Sequence, residues 1–163
     1  MQFKSFALVA SAFVFAACGS KGEEAPAAEA TPAPAAEAAA PAAAGTAAPI
    51  TGTTHEIKMI GDEKGYRFEP ANLTIKAGDA IKYVFVSGGP HNVAFDATGL
   101  APEVKAQLDA NFGPNKMAEL SSNMFMNAGE SITISFGNIP AGAYNYNCTP
   151  HLAMGMKGVI TVQ

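Results

Sequence analysis

Ala143-Tyr144-Asn145-Tyr146-Asn147-Cys148-Thr149-Pro150-His151-Leu152-Ala153-Met154-Gly155-Met156-Lys157-Gly158-Val159-Ile160-Thr161-Val162 is the stretch that decides the fold. It reads as an alternating strand, a short loop, and a second strand rich in β-branched residues. Side chains two apart on a strand share a face, so Cys148 points with Tyr144 and Tyr146. The loop between the strands holds a thiol, an imidazole and two thioethers within a few residues. Pro150 stiffens the turn that brings His151 back beside the sulfur. The distance from His151 to Met156 lets the loop close over one point.

Working outward, the same strand-and-turn rhythm recurs. His55–Ile60, Tyr66–Glu69, Leu73–Lys76, Ile81–Val86 and Ser131–Phe136 are short β-former runs separated by Gly-, Pro- and Asn-containing turns. Repeated short strands with this punctuation predict an all-β sandwich. One segment departs from it. Ala101–Phe112 spaces Val104, Leu108 and Phe112 at four-residue intervals, with Pro102 at its start and Gly113-Pro114 after its end, which predicts one short helix inside a long inter-strand insert. Gly113–Ala128 has no clear period and reads as loop with at most one strand.

The chain has 163 residues and a formal net charge of −4, with 48% hydrophobic and 15% charged residues. That is about one domain by the usual ~100–200 residues per domain. The apolar fraction overstates the core, because 33 residues are alanine and 15 of those lie between Glu23 and Pro49. The core formers concentrate in residues 50–163. The charge balance and scattered lysines leave no basic footprint for nucleic acid. The acidic residues are scattered as well. Three histidines are too few for a centre of several metals.

Before residue 50 the chain changes character twice. Lys4 followed by uncharged Phe6–Ala17 reads as an export signal, too short for the ~20 residues of a spanning helix. The junction Phe15-Ala16-Ala17-Cys18-Gly19-Ser20 resembles a bacterial lipoprotein signal, which implies that Cys18 is lipidated and becomes the mature N-terminus. The alternative is an ordinary secretory signal cut after the small residues. We expect a signal segment at 1–18, a disordered tether at 19–49 and one folded domain at 50–163. Within the tether, Glu23–Pro49 holds 15 Ala, 5 Pro and 4 Glu and no large apolar side chain. Its prolines interrupt any helix the alanines start. If wholly polyproline-like, it reaches ~80 Å at ~3.1 Å per residue.

With Cys18 lipidated or removed, Cys148 is a lone thiol in an oxidising compartment. Such a thiol is buried and inert, pairs with another molecule, or is held by a metal. Its neighbours favour the metal. A second imidazole must come from His55 or His91. His91 follows Ser87-Gly88-Gly89-Pro90 at a strand end, where loops gather at one pole of a sandwich, whereas His55 lies near the tether and reads as structural or exposed. Thiolate plus thioether is a soft donor set, and two His, one Cys and a weak axial Met suit copper. Zinc gains little from Met and wants four strong donors. Calcium and magnesium want oxygen. Met154 and Met156 compete for the axial place. Met124 and Met126 flank Phe125 and read as packing, with a Cu(I)-handling surface as the alternative. Tyr144 and Tyr146 read as core.

Residues 66–163 resemble the cupredoxins, specifically the plastocyanin/amicyanin group. The likeness rests on Phe68-Glu69-Pro70, Ile75-Lys76-Ala77-Gly78-Asp79, Ile81–Val86 and Pro90-His91-Asn92-Val93 in the first half. In the second half it rests on Gly142–Cys148, Pro150-His151, Gly155-Met156, Gly158 and Ile160. The resemblance implies copper ligands His91, Cys148, His151 and Met156, with Asn92 tying the two ligand loops together behind them. The insert between His91 and Cys148 is longer than in the smallest members.

These readings combine into a single Greek-key β-sandwich with one short helix. We expect it to bind one copper ion as Cu(I) or Cu(II) and to shuttle single electrons between redox proteins by transient docking. It is expected to be a monomer, exported to the periplasm or cell surface and anchored to the membrane through Cys18. Copper delivery or storage is the alternative. No acid–base pair accompanies the donors, so an enzyme is not expected.

Overall fold

The computed structural model describes residues 45–163. The signal segment with Cys18 and the tether up to residue 44 lie outside the described residues. Among the described residues, no helix is long and apolar enough to cross a membrane.

Two sheets face each other. The first contains β1 (Thr54–Asp62), β2 (Gly65–Glu69), β4 (Ala80–Ser87) and β8 (Ser131–Ser135) in the order β2-β1-β4-β8. The second contains β3 (Asn72–Ile75), β5 (Ala94–Phe95), β6 (Lys116–Ala118), β7 (Ser121–Ser122), β9 (Gly142–Asn147) and β10 (Lys157–Val162) in the order β3-β10-β9-β5-β7-β6. This is the expected β-sandwich, with α1 (Pro102–Asn111) as its helix. The unpatterned stretch after the helix yields two very short strands where at most one was expected. Their residues carry no apolar alternation, so only their hydrogen bonds to β5 and to each other define them.

Alternation works as the sequence predicts where both faces differ in polarity. On β4, Ile81, Tyr83 and Phe85 point inward while Lys82 points out. On β9, Tyr144 and Tyr146 point inward and Asn145 out. The two sheets meet through aromatic rings: Tyr146 lies 4.6 Å from Phe68 and 5.5 Å from Tyr83 between centroids. Such pairs add ~0.5–1.5 kcal/mol beyond their buried area. The hydroxyls of Tyr146 and Tyr144 donate to the carbonyls of Ala71 (2.9 Å) and Pro140 (2.8 Å). The Tyr83 hydroxyl is buried without a partner.

Helix α1 buries Leu108, followed by Phe112, as its spacing predicts, but it also buries Gln107 and Asn111. Asn111 is fully used. Its Oδ1 accepts from Ala48 N (2.8 Å) and Gln107 Nε2 (2.9 Å), and its Nδ2 donates to the carbonyls of Ser135 (2.9 Å) and Gly137 (3.2 Å). Gln107 also donates to Thr46 O. The last residues of the expected tether, Thr46–Pro49, are therefore strapped to α1, and Pro49 O also accepts from Ser135 Oγ at the end of β8. Polar side chains buried with complete hydrogen bonding make a specific staple.

Two features prepare the opposite pole. The parallel pairing of β1 with β4 shifts by one residue between Met59 and Ile60, leaving Val86 as the extra residue just before the loop to His91. Bulges of this kind re-aim the chain next to functional sites. There Gly88, at φ 69°, packs against Gly61, and a Cβ on Gly88 would lie 2.4 Å from the Gly61 Cα. The other feature is the pairing of β5 with β9, Ala94 against Asn147. It brings the chain just after His91 alongside the residue just before Cys148.

Candidate metal centre

Cys148 ends the β9 run in extended conformation and starts a 3₁₀ turn, Thr149–Met154, with Pro150 in its first positions. The turn places His151 N on Cys148 O at 3.0 Å. Gly155 ends it in the left-handed region, φ 86°, which residues with a Cβ rarely adopt. The loop then closes on itself, with Cys148 N donating to Met156 O (3.0 Å) and Met156 N to His151 O (3.2 Å). Reversal at Gly155 sends its two flanking methionines opposite ways: Met156 is 0% exposed in the same core as Cys148, and Met154 is 63% exposed.

The second arm arrives from β4. His91 is held by two main-chain hydrogen bonds with Phe125 (3.1 and 2.8 Å). Its Nε2–H donates to Ser87 O at 2.9 Å. That bond selects the tautomer whose Nδ1 lone pair is free. Nδ1 lies 3.6 Å from Cys148 Sγ, and His151 Nδ1 lies 3.4 Å from the same sulfur. The three donor atoms fall within 4.8 Å of one another, and all three residues are buried. No carboxylate belongs to this cluster.

Asn92 joins the arms. Its Oδ1 accepts from Thr149 N (2.7 Å), and its Nδ2 donates to the hydroxyls of Thr149 and Ser121 (both 3.1 Å). Its main-chain N–H points at Cys148 Sγ at 3.4 Å. Two rings complete the surroundings. Tyr66 stacks on His151 with centroids 3.6 Å apart and planes 12° from parallel, and Phe85 meets His91 edge-on at 5.0 Å. Neither ring is marked for the site by the ligand motifs themselves. Cross-strand partnership of Tyr66 with Gly61 was the available signal, since a glycine opposite an aromatic leaves room for the ring to fold over.

The electrostatics suit a metal. Burial pushes the Cys148 thiol up, opposed by the main-chain N–H groups of Asn92 and His151. Burial pushes His91 down, and burial together with neighbouring His91 pushes His151 down. Both imidazoles are therefore neutral at pH 7 and open to a metal, while the thiol would have to release its proton to bind one. The donors are soft to intermediate and buried, which fits copper better than an oxygen-seeking ion. His55 takes no part. It lies at the far pole, hydrogen-bonded to Asp79 at 2.9 Å.

A two-sheet sandwich that buries a His–Cys–His cluster between its pole loops is the architecture of the cupredoxins, small proteins built around one copper. The chain belongs to the copper binding proteins of the plastocyanin/azurin family, whose pattern matches residues 55–163. A plastocyanin from Nostoc punctiforme is 39% identical over 111 residues, covering 68% of this chain and 74% of that one. A plastocyanin from Scenedesmus fuscus is 38% identical over 108 residues, covering 66% and 97%. The solved oxidised plastocyanin of Dryopteris crassirhizoma superposes with a TM-score of 0.52 at 27% identity, over 67% of this chain and all of that one. Proteins of this family carry electrons and are not enzymes, and the chain is a blue copper electron carrier.

Proposed function

We propose that His91, Cys148 and His151 ligate a single copper ion through Nδ1, Sγ and Nδ1, and that Met156 is the weak axial donor. The observation that carries this reading is the convergence of those three buried atoms within 4.8 Å. Bound copper supplies a one-electron couple between Cu(I) and Cu(II). The chain's own residues do the rest. The Ser87 carbonyl and the Phe125 pairing hold His91, Asn92 locks the two arms together, and its N–H tunes the electron density on the Cys148 sulfur. Ligands held this firmly change little between oxidation states, which favours fast exchange.

His151 is the exit toward partners. It is bordered by Leu152 and Met154, which are 50% and 63% exposed. Exposed apolar side chains on the turn that carries His151 suit the small, short-lived interfaces of redox encounters. We extend the reading to the rest of the chain: export, lipidation at Cys18, a tether that ends where Thr46–Pro49 are strapped to the domain, and a monomeric domain beyond it, tethered to a membrane on the outer side of the cell. A Cys18→Ala variant that still fractionates with membranes would remove the anchor.

The test is to add Cu(II) to the purified protein and record the visible spectrum. An intense blue band is expected, absent in Cys148→Ser and His91→Ala, retained in Met154→Leu and shifted in Met156→Leu. Loss of the band in Met154→Leu alone reverses the axial assignment. A second reading, copper delivery, draws on the exposed thioethers of Met117, Met126 and Met154, since thioethers favour Cu(I). A colourless protein that holds Cu(I) tightly would support it.

A further inference from the structure

The two imidazoles are held by different means. His91 is oriented by its hydrogen bond to Ser87 O. For His151 the orienting contact is an aromatic face, the Tyr66 ring at 3.6 Å and 12°. Tyr66 also meets the His91 ring edge-on at 6.0 Å, so it touches both imidazoles of the centre.

The position of Tyr66 is built by elements outside the ligand loops. On the β1–β2 hairpin it pairs directly with Gly61. A Cβ on Gly61 would lie 2.7 and 2.8 Å from Tyr66 Cε1 and Cδ1, and 2.9 Å from the Gly88 Cα. The tyrosine ring therefore lies across the missing side chain of Gly61. Ser87 Oγ closes the seam on Gly61 O at 3.1 Å. Arg67 clamps the hairpin turn through two bonds to Asp62, at 2.7 and 3.0 Å. Ring, glycine and clamp all belong to the β1–β2 hairpin and involve none of the donor side chains.

We propose that Tyr66 is a positioning residue of the metal centre, fixing the plane of the His151 ring in the metal-free protein. The inference rests on the copper-site reading above. Its consequence is a preorganised ligand: the metal meets an imidazole already aimed at Cys148 Sγ rather than one that must be ordered on binding. The ring face does this work, so phenylalanine serves and an aliphatic side chain does not. Displacing Tyr66 by a methyl group on Gly61 has the same effect as removing it.

The test begins with NMR of the metal-free protein. In the native protein and in Tyr66→Phe, the His151 ring protons are expected to be shifted upfield by the stacked ring and to report one conformer. In Tyr66→Leu and Gly61→Ala the shift is expected to vanish. Cu(II) affinity is then read by competition with a chelator. It is expected to fall about tenfold in Tyr66→Leu and Gly61→Ala and to stay within about twofold in Tyr66→Phe, in the range that orienting partners of metal ligands contribute. A Tyr66→Leu protein that is folded by circular dichroism and binds Cu(II) as the native protein does overturns the proposal. So does a Tyr66→Phe protein that behaves like Tyr66→Leu. If the native protein takes up no copper, the site reading fails, and the metal-free spectra still decide whether Tyr66 orients His151.

Discussion

Replacing Asn92 with alanine removes three side-chain hydrogen bonds from a residue that is 1% exposed. The bonds run to Thr149 N at 2.7 Å and to the hydroxyls of Ser121 and Thr149 at 3.1 Å. They do not count equally. The two hydroxyls can rotate toward other partners, so each loses about 1 kcal/mol or less. The Thr149 N–H cannot move without opening the 3₁₀ turn, and an unsatisfied buried donor costs about 1–3 kcal/mol. The sum is a loss of about 1–5 kcal/mol in the stability of the metal-free protein. The bond from residue 92 N to Cys148 Sγ is main-chain and survives the change, so the variant is expected to bind copper still. Urea unfolding of the metal-free protein measures the loss as a lower midpoint with an unchanged slope. Thr149→Val keeps the N–H and drops only the hydroxyl, and is expected to lose about 1 kcal/mol. A loss below ~0.5 kcal/mol in Asn92→Ala, on the scale of ordinary surface substitutions, would refute the reasoning that this amide locks the two arms.

Three more outcomes are expected. The main-chain N–H of Lys76, with the His55 ring and Thr53 N, holds the Asp79 carboxyl down from 3.8 to about 2. A depressed folded value contributes stability that is present above the unfolded pKa near 3.8 and is lost as pH falls through about 2. That amounts to ~2 kcal/mol at ~1.4 kcal/mol per unit, and Asp79→Asn should flatten that limb of the pH–stability curve. Tyr83→Phe removes a buried hydroxyl that has no partner, and thermal unfolding should show a stability unchanged or raised by up to ~1 kcal/mol; a clear loss would mean the hydroxyl is bonded. Asn111→Leu orphans Ala48 N and the carbonyls of Ser135 and Gly137, and should lose about 3 kcal/mol and speed amide exchange at Ala48, while an unchanged exchange rate would dismiss the strap.

The strands that read most clearly were those with one face in the core, such as β4 and β9, because alternation records a difference in polarity between faces. Where that difference is missing the reading falters. Lys116–Ala118 and Ser121–Ser122 carry no apolar signal and become strands only through neighbours. Gln107 and Asn111 look like solvent-facing helix positions, and they are buried because their amides find partners at Thr46, Ala48, Ser135 and Gly137, far away in the chain. The prolines and alanines before Ile50 suggest an unattached tether for the same reason, yet Thr46 and Ala48 are held by those amides and Pro49 by the Ser135 hydroxyl.

From its residues alone the chain determined the chemistry: a thiol, imidazoles and thioethers at loop spacing already exclude the oxygen-seeking metals and favour copper. Local geometry was determined too, because Pro150 and Gly155 bend one short loop by steric rules that need no distant partner. His91 was already favoured over His55 by its place at a strand end, and tertiary structure supplied the physical reason. His91 joins Cys148 and His55 does not, because β5 pairs with β9 while His55 pairs with Asp79 at the far pole. The covering of His151 by Tyr66 was decided only by tertiary structure, because it depends on a glycine lying opposite the ring on another strand. Donor chemistry belongs to single side chains and can be read one at a time, whereas convergence depends on which strands pair, and that is set by how the whole core packs.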